Sequence, residues 1–154
     1  MTILIVYATY SSGTQIAAEL VDQILKSNGQ EVTRKNASEV DPQEFAAYDL
    51  IIFGSPSWKI DNKEGQPHQY FIALLQKLEG RIFENKNFAI FGLGHSDYYI
   101  PFCGAVDILE QAIKKIRGKL LVDSLRIDRF YFNQKQNEEA IIKWTKQLLN
   151  NETV

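Results

Sequence analysis

Short apolar runs alternate along the chain with segments whose apolar residues recur at helical spacing. Residues 3–6, 50–53 and 88–91 are continuous β-prone runs, a pattern typical of strands that are buried on both faces of a parallel sheet. Residues 31–33 predict a short edge strand, and residues 120–127 predict one further strand. The order of these runs indicates a sheet of five strands.

Amphipathic segments lie between and after these runs, and each predicts a helix. Their apolar stripes are Ile16, Leu20 and Ile24; Tyr70, Leu74 and Leu78; Ala105, Ile108, Ala112 and Ile116; and Ile141, Thr145 and Leu148. The repeated β-α order, with no linker or repeat to mark a boundary, predicts one α/β domain over residues 1–154. We expect a doubly wound, five-stranded parallel sheet with helices on both faces, which binds ligands beyond the carboxyl ends of its strands.

Composition limits the partners and location of the chain. Its 154 residues can bury a core without metals or disulfides, and its one cysteine, Cys103, excludes an intramolecular disulfide and a multi-cysteine metal site. The N-terminus lacks the features of a secretion signal, and no apolar run approaches the ~20 residues of a membrane span. We therefore expect a cytoplasmic protein, and a monomer. The net charge of only −2 gives no reason to expect binding to nucleic acid or membranes.

Hydroxyl groups fill the turn between the first predicted strand and the first predicted helix, which reads Thr9, Tyr10, Ser11, Ser12, Gly13 and Thr14. Such a turn presents free backbone N–H groups, and the helix dipole favours an anion there. The turn contains neither the lysine of a nucleoside triphosphate loop nor the G-x-G-x-x-G pattern of a dinucleotide site. It therefore predicts a site for one phosphate monoester held by hydrogen bonds.

Two more loops should reach the same edge of the sheet. The loop after the third strand contains Trp58, and the loop over residues 92–99 contains Tyr98 and Tyr99. A purely structural loop is usually small and polar at such positions. Aromatic residues just past two strands, beside a phosphate site, predict a slot for a planar heterocycle that carries a phosphate, with stacking on its two faces.

These motifs together resemble the short-chain type of the flavodoxin family over essentially the whole chain. Residues 9–14 resemble its phosphate loop, residues 55–58 its tryptophan loop, residues 91–107 its third loop and the helix that follows, and residues 125–128 the end of its last strand. That strand lacks the insertion of long-chain members. The resemblance implies the strand order 2-1-3-4-5 with flavin mononucleotide (FMN) at the switch point, for which this family is itself a standard example.

The resemblance also implies a low-potential one-electron carrier, which binds FMN non-covalently and shuttles electrons between redox partner proteins, a reductase as donor and an unidentified acceptor. Trp58 and a tyrosine, Tyr98 in preference to Tyr99, would stack on the flavin. Cys103 would be a packing or backbone-contact residue rather than a nucleophile. No catalytic side chain and no metal are expected. The predicted cofactor-binding residues are Thr9, Tyr10, Ser11, Ser12, Gly13, Thr14, Pro56, Ser57, Trp58, Lys59, Leu93, Gly94, His95, Tyr98, Phe102 and Cys103.

Two other functions stay open at this point. A flavodoxin-like FMN oxidoreductase acting on a quinone or porphyrinogen would need a substrate pocket beside the flavin, and residues 59–68 are a candidate lid. His68 has no acid near it in the sequence, so we predict a solvated loop histidine. A flavin-free interaction module is the other alternative. Steady substrate turnover would identify the enzyme, and a protein that stays colourless with added FMN would identify the module.

Overall fold

Strands and α-helices alternate along residues 1–97 and 102–151, the part of the chain that the computed structural model describes. The strands are β1 (Thr2–Tyr7), β2 (Glu31–Asn36), β3 (Leu50–Pro56), β4 (Trp58–Ile60), β5 (Lys63–Gln66), β6 (Asn87–Gly94), β7 (Lys119–Leu120) and β8 (Leu125–Asp128). The α-helices are α1 (Gly13–Ser27), α2 (Gln69–Leu78), α3 (Gly104–Lys115) and α4 (Gln134–Asn150), and two 3₁₀ helices cover Ala37–Glu39 and Pro42–Ala47. Among these residues, no helix is both long and apolar enough to cross a lipid bilayer.

The main sheet has the order β2-β1-β3-β6, and its last position, on the free edge of β6, is filled by β7 and β8 in turn. All of these pairings are parallel. The predicted doubly wound α/β fold and its strand order are therefore confirmed. The predicted unbroken strand over residues 120–127 is wrong, because the last position consists of two short strands.

Side-chain hydrogen bonds explain the interruption between β7 and β8. The carbonyl of Asp123 accepts a hydrogen bond from Trp144 Nε1 (2.9 Å), and Ser124 Oγ lies 2.7 Å from Glu110 Oε1. These groups bond to α4 and α3 rather than to β6. The polar pair Asp123-Ser124 thus ends the ladder until Leu125, which lies opposite Phe91.

Alternate residues of the central strands point into two separate cores. Leu4 and Val6 of β1 face the core under α2 and α3, while Ile3 and Ile5 face the core under α1 and α4. All four are fully buried. A parallel sheet covered on both faces needs apolar residues at every position of its central strands, which explains the continuous runs in the sequence.

The buried face of α1 is not the predicted one. Ala17, Val21 and Leu25 are fully buried, whereas Ile16 and Leu20 are only partly so. Small alanines let the helix lie close to the sheet, so its largest side chains spread to the margins. The stripe predicted for α2 is also displaced at its start, where Phe71 is buried and Tyr70 is exposed.

Residues 58–66 form an antiparallel hairpin, β4–β5, instead of the loop that the sequence suggested. Its turn consists of Asp61 (φ 51°) and Asn62 (φ 63°) between the paired residues Ile60 and Lys63. Two consecutive residues with positive φ give the type I′ turn that suits a two-residue hairpin. The hairpin packs against the start of α3, since a Cβ on Gly104 would lie only 2.8 Å from a backbone oxygen of β5.

Candidate functional site: a cleft at the carboxyl edge of the sheet

A cleft opens where the loops after β1, β3 and β6 meet, and most of the predicted site residues line it. They are Thr9, Tyr10, Ser11, Gly13, Thr14, Pro56, Ser57, Trp58, Leu93, Gly94 and His95. Ser12, Lys59, Phe102 and Cys103 lie outside the lining, and Tyr98 falls outside the described residues. The three loops thus meet as the sheet topology predicted.

The turn before α1 presents backbone N–H groups to the cleft. Ser12 caps the helix with φ 69° and without a side-chain hydrogen bond, and its own side chain is exposed. Gly13 follows in a crowded position, where a Cβ would lie 3.1 Å from Leu93 Cδ2. The first turn of α1 contains no acidic residue, so nothing there competes with an anion for the helix dipole.

Thr9 gives the clearest sign that this turn binds a ligand. Its Oγ1 is one of only three buried side-chain polar atoms, among the described residues, that have no hydrogen-bond partner. Thr14, at the other end of the turn, is also buried. Leaving a buried hydroxyl unsatisfied costs about 1–3 kcal/mol. A phosphate oxygen in the cleft would satisfy such a group, so the residues present fit a phosphate.

The hydroxyls of the tryptophan loop, by contrast, bond to the protein itself. Ser57 Oγ accepts a hydrogen bond from the backbone N–H of Ala105 (3.0 Å), and the Ser57 N–H donates to the Leu93 carbonyl (2.8 Å). Ser55 Oγ accepts from the backbone N–H of His68 and donates to the Pro56 carbonyl. Both serines are buried. They hold the loop in place, and the side chain of Trp58, 48% exposed, is left at the rim of the cleft.

The prediction of a solvated His68 is wrong, because its side chain is 3% exposed. The imidazole caps α2, with Nδ1 accepting from the Tyr70 N–H (3.0 Å), and it stacks on the Tyr10 ring with 4.0 Å between centroids. Tyr10 in turn lies 5.4 Å from the Trp58 ring. Burial lowers the pKa of His68, and a hydrogen bond with the Thr9 backbone partly offsets that effect. The segment around Pro67 is ordered by contacts that are distant in sequence.

The loop after β6 packs tightly against the start of α3. A Cβ on Gly94 would lie 2.9 Å from Cys103 Sγ and 3.3 Å from the Phe102 ring, so only glycine fits there. Cys103 is fully buried, and its thiol lies 3.7 Å from the Gly92 carbonyl oxygen. Burial raises the pKa of Cys103 to about 12. The thiol therefore stays protonated near neutral pH, which suits a packing role rather than a nucleophile.

A fourth segment, residues 129–132, completes the cleft and was missed by the sequence reasoning. Arg129 donates its backbone N–H to the Gly94 carbonyl (3.0 Å), and the Tyr131 hydroxyl donates to the Ser11 carbonyl. Phe132 lies at the rim and is 81% exposed. The sequence did contain a signal for this segment. Three consecutive aromatics, residues 130–132, come after the last strand and should reach the same edge of the sheet.

Charged groups gather beside this segment. Arg129 Nη2 lies 2.8 Å from Asp97 Oδ1, and the Ser96 N–H and hydroxyl both bond to the Asp128 carboxylate (2.9 Å each). Burial alone would raise the pKa of Asp128, but the bonds from Ser96 and the charge of Arg129 bring it below its usual value. Asp128 therefore remains ionised at neutral pH, next to the half of the cleft that holds His95.

Comparison with known proteins identifies the family to which the chain is similar. The family model for flavodoxin matches residues 5–144. A flavodoxin of Maridesulfovibrio salexigens is 36% identical over 81% of this chain and 84% of its own length, and a probable flavodoxin 2 of Bacillus subtilis is 35% identical over 94% and 92%.

Solved structures give the same result for the fold. Oxidised flavodoxin 2 from Bacillus cereus superimposes with a TM-score of 0.85 at 28% identity, covering 97% of this chain and 99% of that one. A Fusobacterium nucleatum flavodoxin, crystallised bound to flavin mononucleotide, gives a TM-score of 0.82 at 20% identity, covering 97% of each chain. The match over residues 5–144, together with relatives above a third identical over most of their length, shows that the chain belongs to the flavodoxin family.

Proposed function

We propose that this chain carries single electrons between redox partner proteins, with FMN bound non-covalently in the cleft. The observation that carries the proposal is the buried, unsatisfied Thr9 hydroxyl in a turn without cations. Tyr10 of that turn and Trp58 lie on the wall of the same cleft. A phosphate site next to an aromatic wall suits a phosphorylated planar ring.

In this proposal the turn before α1 holds the phosphate. Thr9 Oγ1, the Thr14 hydroxyl and the free N–H groups at the start of α1 would donate to it. The hydroxyl of Tyr131 donates to the Ser11 carbonyl, so this carbonyl is already bonded within the protein. Because hydrogen bonds rather than lysines neutralise the charge, the site should prefer a phosphate monoester over a polyphosphate.

The other half of the cleft would hold the ring. Trp58 and Tyr98 are proposed to stack on its faces, and the backbone from Leu93 to His95 is proposed to face its polar edge. FMN, when bound, supplies the electron chemistry by accepting and releasing one electron at a time. The protein contributes the surroundings: the ionised carboxylate of Asp128 would disfavour additional negative charge nearby and so lower the reduction potential, an effect that the neighbouring Arg129 partly offsets.

Partner contact is proposed at the exposed aromatic rim. Trp58 and Phe132 are among the most exposed large apolar side chains of the described residues, and a short-lived docking surface needs such groups near the ring. We also propose that the protein works as a monomer in the cytoplasm, where an unpaired cysteine such as Cys103 stays reduced. A reductase would be the electron donor in this scheme.

A reductive titration of the purified protein, followed by its visible spectrum, tests the proposal. We expect about one flavin per chain and two separate one-electron steps, the second at low potential. A protein that stays colourless with added FMN would contradict the proposal and indicate an interaction module. Steady turnover of a quinone or porphyrinogen would instead indicate the oxidoreductase alternative.

A further inference from the structure

The ring of Tyr10 lies between His68 and the cleft. His68 does not line the cleft, but its imidazole stacks on Tyr10, which does, with an angle of 23° between the two ring planes. Tyr10 also accepts a hydrogen bond at its hydroxyl from the Gln69 N–H (3.3 Å). The position of Tyr10 is therefore set by two consecutive residues at the start of α2.

Three elements of the fold meet at His68. Its backbone N–H donates to Ser55 Oγ at the end of β3 (3.0 Å), Nδ1 accepts from the Tyr70 N–H of α2, and the ring hydrogen-bonds the backbone of Thr9. Thr9 also carries the unsatisfied hydroxyl in the cleft. The phosphate loop is thus joined to β3 and to α2 through one residue, His68.

The contact with Tyr70 requires the neutral form of the imidazole. Nδ1 accepts a hydrogen bond from Tyr70 and so carries no proton, which leaves the ring proton on Nε2 as the donor to Thr9. A protonated imidazole has two N–H donors and no acceptor. Protonation would therefore remove the cap of α2 and place one N–H against another.

The surroundings of the ring offer no charge that would stabilise the protonated form. Among the described residues, the titratable groups that face the imidazole are the phenol of Tyr10 on the phosphate loop and the phenol of Tyr70 on α2. Ser55, on β3, is neutral, and the influences on the pKa of His68 are burial and the Thr9 backbone, not a charged side chain. His68 is consequently neutral near pH 7.

We propose that neutral His68 is the positioning residue that holds Tyr10 in its ligand-binding arrangement, by capping α2 and stacking on the Tyr10 ring. Protonation of the imidazole removes the cap, and it should thereby loosen the phosphate loop at Tyr10 and weaken FMN binding. This inference rests on the proposed function and adds a control by pH to the same site. His68 acts through Tyr10 and does not itself touch the ligand.

The test compares the wild type with His68→Asn, both as apoproteins titrated with FMN at about pH 7.5 and about pH 5.5 by quenching of flavin fluorescence. Asparagine is a favoured N-cap residue and keeps an acceptor for the Tyr70 N–H, but it does not titrate. The phosphate of FMN titrates near pH ~6 in both experiments, so only a difference between the proteins reports on His68. For each protein, the pH factor is the ratio of the FMN dissociation constant at the lower pH to that at the higher pH. We expect this factor to be at least about threefold larger for the wild type than for the variant. Equal pH factors in the two proteins would overturn the proposal.

Controls separate this inference from the proposed function. With riboflavin, which lacks the phosphate, the difference in pH effect between the wild type and His68→Asn should be smaller than it is with FMN, and an equal difference would overturn a role through the phosphate loop. His68→Ser, another good N-cap, replaces the first variant if that does not fold. If neither protein binds FMN at the higher pH, the proposed function fails, whereas binding with equal pH factors overturns the role of His68 alone.

A second readout needs no flavin. The chain contains two histidines, so imidazole nitrogen NMR spectra of the apoprotein can be assigned with one substitution. We expect His68 as the Nε2–H tautomer at neutral pH. A proton on Nδ1 would contradict the cap of α2 and, with it, the proposed positioning of Tyr10.

Discussion

The two ends of the cleft differ in how they are built. The phosphate end consists of hydroxyls and backbone N–H groups in a turn without charged side chains, and its Thr9 hydroxyl is left without a partner. The ring end consists of Trp58 and His95 beside Arg129, which pairs with Asp97 and lies near the ionised carboxylate of Asp128. The difference suggests that affinity for the ligand comes mainly from one end and the reduction potential from the other.

One hydroxyl from each end of the cleft shows the same difference. Thr9 and Ser57 both follow a strand and both line the cleft, yet only Ser57 Oγ is already bonded, to the Ala105 N–H. Removing each hydroxyl should therefore have opposite consequences for ligand binding and for stability.

The largest effect is expected for Thr9→Val, which keeps the shape of the side chain and removes the free hydroxyl. FMN should bind about 10- to 150-fold more weakly, the loss of one hydrogen bond to a charged group, or about 1.5–3 kcal/mol. The free energy of unfolding of the apoprotein should stay the same or rise, because no hydrogen bond is lost. Calorimetric titration and urea unfolding measure the two quantities. Thr9→Ser, which keeps the hydroxyl, is the control, and equal weakening by both substitutions would remove the role of Oγ1.

The next effect is expected for Ser57→Ala. This change leaves the buried N–H of Ala105 without an acceptor, so the apoprotein should lose about 1–3 kcal/mol of stability in urea unfolding. The ratio of FMN to riboflavin affinity should not change, because the phosphate end is intact. A changed ratio without loss of stability would show that the Ser57 hydroxyl serves the ligand instead.

A smaller effect is expected for His95→Asp, which adds a negative charge at the ring end. A partly exposed charge there is worth about 1 kcal/mol, so the potential for the second electron should fall by ~40 mV. The neutral variant His95→Asn is the control and should stay near the wild type. FMN affinity should change less than the potential does. Identical potentials in the two variants would mean that the side chain points away from the ring.

The smallest effect concerns the pH dependence of stability. Because burial lowers the pKa of His68, the unfolded chain binds more protons than the folded chain as pH falls through the ordinary histidine value of ~6.5. The stabilisation from neutral His68 is complete above that pH and is lost as pH falls toward the lowered pKa. Urea unfolding of the apoprotein should show a flatter profile for His68→Asn in this range. Parallel profiles would show that His68 protonates equally in both states.

The fold was predictable from the sequence wherever one strong pattern acted alone. The continuous β-prone run at residues 50–53 is typical of a strand covered on both faces, and Leu148 and Ile141 mark the buried face of α4 correctly. The prediction failed where a few polar contacts decide the outcome. Asp123 and Ser124 look compatible with a strand in the sequence, but their bonds to α4 and α3 interrupt it.

The sequence located the three loops of the candidate site, but not all of the residues that hold those loops in place. Strand ends, hydroxyls and aromatics located the turn at residues 9–14, because the sheet brings such ends together. His68 was misjudged because its partners lie on other elements, and neither Ser55 nor Tyr10 is near it in the sequence. The hairpin had a local signal in Asp61 and Asn62, two residue types that tolerate positive φ.

The most direct test of the central claim, that the phosphate end provides the affinity for FMN, compares FMN with riboflavin on the wild-type apoprotein. The two ligands share the flavin ring and differ in the phosphate. Isothermal titration at neutral pH should give FMN the tighter binding by about two orders of magnitude or more, the scale of one to two charge-assisted hydrogen bonds. Equal affinities for the two ligands would contradict the claim and move the source of affinity to the ring end of the cleft.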